Sequence, residues 1–209
     1  RTRRQRQMCI RDSFYIVSNP EQFPLSFRLD REATFDNFLS FDSGSLVQTL
    51  KNLVTSDNSE WIYIAGERGN GVSHLLHATI AYAEHHGHRA LCFDFRWIIE
   101  TAMQAGESSI EAATRFVSEL FEGCENYDVL CIDHLDSMVE RQSFTESLER
   151  IVFYQLTRIQ QKRYSKIVFG AHNVVSEIKI TLPDLRSRLS LAAPFRITRY
   201  SDCLLYTSP

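Results

Sequence analysis

The sequence has no apolar run approaching the roughly 18 residues that cross a bilayer as a helix. Its basic N-terminus is not followed by the apolar stretch of a signal peptide. Both absences point to a cytoplasmic protein with no membrane partner. Paired cysteines are lacking as well: Cys9, Cys92, Cys124, Cys131 and Cys203 are odd in number, contain no Cys-x-x-Cys, and read as reduced, mostly buried thiols. Charge of neither sign is in excess, with a formal net charge of -3. Global attraction to nucleic acid is therefore excluded, and with no convincing basic patch any DNA contact would be indirect. No internal repeat or low-complexity tract occurs.

What is present is a chain of 209 residues, 44% hydrophobic, enough for one sizeable core. The arginine-rich residues 1–12 and the closing residues 203–209 follow no period and resemble translated adaptor sequence, so both are expected to be foreign to the fold. Residues 13–42 form an N-terminal arm, and residues 43–202 form the core. Five runs have the apolar, β-branched or aromatic make-up of buried strands: Trp61–Ala65, Ala90–Asp94, Asp128–Ile132, Lys166–Gly170 and Pro194–Thr198. Between them, Leu75, Leu76, Ile80 and Ala83 share a helical face that ends in His85, His86 and a C-cap Gly87. Ile110, Ala113, Val117, Leu120 and Phe121, and then Phe144, Leu148, Ile151, Val152, Leu156 and Ile159, repeat at helical spacing. An amphipathic segment, Ser43–Val54, precedes the first strand. Strand and helix alternate, which predicts a three-layer α/β sandwich on a five-stranded parallel sheet, with ligands at the carboxyl ends of the strands.

The first strand leads into Gly66-Glu67-Arg68-Gly69-Asn70-Gly71-Val72-Ser73 and a helix beginning at His74. Glycines at 66, 69 and 71 let a backbone turn tightly and aim N–H groups inward, where a helix N-terminus adds positive potential. Such a loop cradles phosphates, and Ser73 would offer its hydroxyl to magnesium. The alternative is an ordinary glycine-rich strand-to-helix turn. Val72 stands where a phosphate loop carries its lysine, so a charged donor to the transferring phosphoryl is missing; Arg68 could bring charge from another direction. The third strand ends in Asp133, which suits a magnesium-binding carboxylate beside the loop or a helix N-cap. The next residue, His134, occupies the position of a water-activating acid, so hydrolysis is expected to be weak. His74 and His77 lie on one helix without a carboxylate or cysteine at metal spacing, and no Ser-His-Asp set is legible.

Gly71-Val72-Ser73-His74-Leu75-Leu76-His77-Ala78, Asp128-Val129-Leu130-Cys131-Ile132-Asp133 and Leu182-Pro183-Asp184-Leu185-Arg186-Ser187-Arg188-Leu189 together resemble three segments of the DnaA-related AAA+ family, with Hda-type regulators the nearer likeness. These are its phosphate loop, its acidic strand end and its arginine-finger segment. The likeness spans roughly residues 22 to 200. It implies an AAA+ P-loop core binding ADP or ATP, possibly with magnesium, through Gly66, Gly69, Asn70, Gly71, Val72, Ser73, His74 and Asp133. It also implies that Arg188 reaches the ATP of a partner; otherwise Arg188 is a surface residue paired with Asp184 on a helix. His172 and Asn173 fall on the family's sensor segment without its usual aspartate. Gln22-Phe23-Pro24-Leu25-Ser26-Phe27 is similar to the peptide with which replication proteins dock on the DNA sliding clamp, Gln22, Leu25 and Phe27 being the anchors. It could equally pin the arm to the core. The resemblance implies a negative regulator of initiation, with DnaA, the clamp, DNA through the clamp, and a possible homo-oligomer as partners. A divergent initiator, a helicase-loader ATPase core, or an interaction module with a relic loop are the alternatives. The family's helical lid is expected beyond residue 202.

Overall fold

A computed structural model describes residues 32–38, 44–104, 110–140, 142–161 and 166–198. Gln22, Leu25 and Phe27, the segments 1–12 and 203–209, and Cys9 and Cys203 lie outside the described residues. The chain runs α1 (Gly44–Thr55), β1 (Trp61–Gly66), α2 (Val72–His85), β2 (Ala90–Asp94), α3 (Phe95–Gln104), α4 (Ile110–Leu120), β3 (Val129–Asp133), α5 (Gln142–Gln160), β4 (Lys166–Ala171), α6 (Pro183–Leu189) and β5 (Ala193–Ile197). Short 3-10 turns cover Cys124–Asn126 and Leu135–Val139. The strands form one parallel sheet in the order β2-β3-β4-β1-β5.

Continuous apolar runs belong at the centre of a parallel sheet because helices cover both faces. β3 and β4 are buried throughout, and β1 from its second residue on. Alternate side chains of β1 serve opposite faces. Ile62 and Ile64 pack with Leu46, Leu50 and Leu53 of α1 and Leu75, Leu76 and Ile80 of α2. Tyr63 and Ala65 join the opposite core, with Phe93, Phe121, Leu148, Val152 and Phe169. Each fully buried leucine or isoleucine contributes about 1.5–3 kcal/mol relative to exposure.

The expected buried strand at 194–198 is instead an edge strand, Ala193–Ile197, with Ala193, Pro194 and Arg196 exposed. Pro194 lacks the N–H a central strand would need, so the edge is where it fits. α3 follows β2 without a connecting turn, because Asp94 Oδ1 accepts the backbone N–H groups of Arg96 at 2.9 Å and Trp97 at 3.3 Å. That carboxylate satisfies two of the first helical donors, which otherwise lack partners. Cys92, Cys124 and Cys131 are buried free thiols; burial, with Glu125 nearby, pushes Cys124 up to about 12. Among the described residues no helix is long and apolar enough to cross a membrane.

Candidate nucleotide site

The glycine loop leaves the carboxyl end of β1 and closes as α2 begins. Gly69 and Gly71 have φ values of +88° and +89°, a left-handed backbone that glycine adopts without strain. A Cβ on Gly71 would lie 2.5 Å from the Phe38 ring, so the N-terminal arm seals the outside of this turn. Asn70 N–H donates to the Glu67 carbonyl at 3.0 Å, and Asn70 Nδ2 donates to the Ile197 carbonyl at 3.1 Å. Asn70 thus ties the loop to the end of β5.

A cavity of about 320 Å³ opens over the loop, lined by its backbone, Arg68, Val72, Ser73, Arg96, Asp133, His134 and His172. The sequence places Gly66, Gly69, Gly71, Val72, Ser73 and Asp133 in one site, and the fold brings these together around that cavity. Two further residues assigned there, His74 and Asn70, have side chains engaged with other partners. His74 does not line the cavity; its Nε2 donates to the Thr34 carbonyl at 2.9 Å and its ring lies 5.5 Å from Phe38. The amide of Asn70 is taken by β5.

Val72 is 8% exposed and belongs to the core on the α2 side of the sheet. Its methyl groups would come within 2.8 Å of a Cβ on Gly170 and 2.9 Å of one on Gly66. The phosphate-loop lysine position is thereby filled by an apolar branch wedged between β1 and β4. Asp133 is 3% exposed at the cavity floor, where its Oδ1 would meet the same Gly170 Cβ at 2.9 Å. Glycines occupy the places where the loop, β4 and Asp133 converge, and Ser73 and Asp133 both face the space. These groups suit a phosphate with a magnesium ion, which Ser73 and Asp133 would hold and which would neutralise charge on the phosphate oxygens.

The register adds a feature the sequence pattern did not expose. Asp94 and Asp133 are direct neighbours on β2 and β3, so two carboxylates end side by side. His134 bridges them: its Nδ1 lies 3.0 Å from Asp94 Oδ1 and 3.5 Å from Asp133 Oδ2, and its backbone N–H donates to Asp133 Oδ1 at 2.8 Å. It holds φ +51°, the left-handed region that costs a side-chain-bearing residue roughly 1–2 kcal/mol. Burial disfavours the imidazolium, but the Asp94 hydrogen bond and the charges of Asp133 and Asp94 outweigh it, and the His134 pKa is raised despite the opposing charge of Arg96. Asp94 is likewise partly buried, which opposes its charge; the His134 hydrogen bond and charge and the Trp97 and Arg96 N–H groups prevail and lower its pKa.

His172 follows β4 on the expected sensor segment and lines the cavity, held by Asp136 Oδ2, which accepts its Nδ1–H at 2.9 Å and its backbone N–H at 3.1 Å. Asn173 is fixed through its carbonyl, which accepts the Tyr63 hydroxyl at 2.8 Å. Arg188 lies outside the cavity on α6. Its guanidinium carbon is 4.8 Å from the Phe153 ring centroid and its Nη1 donates to Gln160 Oε1; among the described residues it forms no ion pair with Asp184. Arg96, which the motif reading passed over, is legible only from the rule that carboxyl strand ends carry ligands, since it stands two residues beyond the end of β2.

No family model matches the chain. Solved structures do. AMPPCP-bound DnaA from Aquifex aeolicus is similar at a TM-score of 0.63 and 16% identity, over 81% of this chain and 51% of that one. Domain III of DnaA from Thermotoga maritima is similar at 0.61 and 16%, over 79% of this chain and 66% of that one. DnaI is similar at 0.61 and 14%, over 80% and 91%. The chain thus spans about half the length of the Aquifex DnaA. Together with the all-parallel sheet and its glycine loop, these likenesses show that the chain shares its fold, a three-layer α/β sandwich on a five-stranded parallel sheet, with the matched parts of DnaA and DnaI.

Proposed function

We propose that the chain is a regulator of bacterial replication initiation that binds ADP or ATP, hydrolyses it poorly, and lends an arginine to a partner's triphosphate. The observation that carries this reading is the cavity itself, with the glycine loop and Asp133 in place but Val72 and His134 where a cation and a general base would stand. Such a site can hold phosphates with backbone N–H groups while lacking the parts that drive transfer. In this reading Hda-type action follows: residues 22–27 dock on the sliding clamp, hence on DNA indirectly, and Arg188 faces ATP held by DnaA.

The contacts of Arg188 with Phe153 and Gln160 are weak enough to leave it available for that role. A guanidinium stacked on a partly exposed ring gains about 0.5–1 kcal/mol, whereas an arginine finger accelerates transfer by roughly 10³–10⁵-fold. Leaving Phe153 is cheap beside what the finger supplies.

Two measurements test the proposal. Titration of labelled ADP and ATP, with turnover followed in the same samples, is expected to show binding with little hydrolysis; ready turnover by the chain alone would favour an initiator-like or loader-like ATPase core. DnaA ATP hydrolysis with DNA-loaded clamp is expected to rise on adding the wild type, and to rise far less with Arg188→Ala. Equal stimulation by both removes the finger.

A further inference from the structure

Loss of the loop lysine leaves a polyphosphate site without its usual cation, yet two guanidinium groups line the same cavity. Arg68 is exposed on the loop rim, and Arg96 is half-buried in the first turn of α3, on the β2 side. Among the described residues neither guanidinium has a hydrogen-bond or ion-pair partner. For Arg96 this is unexpected, because Asp94 is two residues away and Asp133 lines the same cavity. Arginine beside two carboxylates ordinarily forms a bidentate pair.

Both acids are engaged elsewhere, in part by His134. Asp94 Oδ1 already accepts the backbone N–H groups of Arg96 and Trp97 and the Nδ1–H of His134. Asp133 Oδ1 accepts the His134 N–H, and its Oδ2 lies 3.5 Å from the ring. His134 thus lies between the two strand-end acids, engaging Asp94 through Oδ1, and among the described residues the guanidinium of Arg96 pairs with neither acid. Of the remaining acids on the lining, only Glu67 stands at the rim, and it is exposed. Two first-turn N–H groups of α3, those of Arg96 and Trp97, are already taken by Asp94.

We propose that Arg96, with Arg68 as an outer helper, replaces the missing loop lysine: the polyphosphate is gripped between the N–H groups of the Gly66–Ser73 loop and a guanidinium delivered from the β2–α3 junction. Val72 and Arg96 are then two halves of one exchange, in which a cation moves from the loop to the neighbouring strand end. A guanidinium also binds two phosphate oxygens at once, where an ammonium acts as a point charge. His134, between the strand-end acids, offsets their charge near Arg96. The inference rests on the nucleotide-binding reading above.

The test is calorimetric titration of the full chain with ADP, inorganic tripolyphosphate and adenosine, using wild type, Arg96→Ala, Arg96→Lys and the double variant Val72→Lys/Arg96→Ala. Loss of charge-assisted bonds is expected to weaken ADP and tripolyphosphate binding by roughly 10–100-fold in Arg96→Ala, with adenosine unmoved. Arg96→Lys retains part of the affinity, which guards against a misfolded alanine variant. The double variant recovers tripolyphosphate binding by returning a cation to the loop. Wild-type affinity for ADP and tripolyphosphate in Arg96→Ala overturns the Arg96 role alone, as does a double variant no better than Arg96→Ala. No binding of ADP or tripolyphosphate by the wild type at millimolar concentration overturns this proposal and the nucleotide-binding reading together.

Discussion

His134 concentrates three demands in one residue. It holds a left-handed backbone conformation, lies between two strand-end carboxylates, and follows directly on the acid that ends β3. The raised pKa of His134 and the lowered pKa of Asp94 make the pair a source of pH-dependent stability. A raised histidine contributes fully below its ordinary value of 6.5 and loses the contribution as pH rises through its folded value. A lowered aspartate contributes above 3.8 and loses it as pH falls through its folded value. The pair is therefore most stabilising between these limits. Urea unfolding of wild type and His134→Gln in metal-free buffer is expected to show an advantage for the wild type near pH 5 that shrinks toward about pH 9. A constant difference across that range would mean that the ion pair contributes nothing. At this scale the sequence placed the glycine loop, Val72, Asp133 and His134 around one cavity, because spacing along one chain and the ends of β1 and β3 fix their positions. It could not show Asp94 beside Asp133, or Arg96 across from the loop, because those neighbours come from strand order.

Among the elements, the parallel strands were legible nearly residue by residue, since each is an apolar run bounded by polar residues. Two helices were not. α3 abuts β2 with no turn residue between them, and its only local sign is Asp94 as an N-cap before Phe95, Ile98 and Ile99, all buried. α6 is seven residues long and is placed from a distance by Glu149 of α5. That carboxylate is fully buried and accepts the N–H of Thr181 at 2.8 Å, its hydroxyl at 2.6 Å and the N–H of Leu182 at 2.7 Å. It anchors the chain immediately before the helix that carries Arg188. Removing it breaks three hydrogen bonds to a carboxylate, from exposed Thr181 and half-buried Leu182, at about 1.5–3 kcal/mol each before water partly replaces them. Glu149→Ala is expected to destabilise the protein by roughly 3 kcal/mol or more, with Glu149→Gln losing less. If Arg188 is a finger, Glu149→Gln also lowers stimulation of DnaA at temperatures where the fold is intact. A loss of stability smaller than 1 kcal/mol in Glu149→Ala would show that the segment before α6 is held by its own contacts.

For the whole molecule, α1 decides whether the glycine-loop cavity belongs to one cooperative unit. The amphipathic segment before β1 packs against α2, the helix that grows out of the glycine loop. Leu50 and Leu53 are fully buried there, and Phe35 of the arm closes over Tyr82 at 5.6 Å between ring centroids. The arm also reaches the loop directly, through Phe38 on Gly71 and the Thr34 carbonyl on His74. One face of the sheet thus links the N-terminal arm, α1, α2 and the loop in an unbroken core. Leu50→Ala opens a cavity at its centre and is expected to cost about 2–5 kcal/mol. Trp61 on β1 and Trp97 on α3 report from different ends of the sheet, and circular dichroism reports the helices. In a single unit, tryptophan fluorescence and circular dichroism give coincident denaturant midpoints, and Leu50→Ala moves both by the same amount. Separate midpoints, with the tryptophan signal untouched by Leu50→Ala, would mean that the arm and α1 fold apart from the sheet. The loop geometry would then rest on β1, β4 and β5 alone.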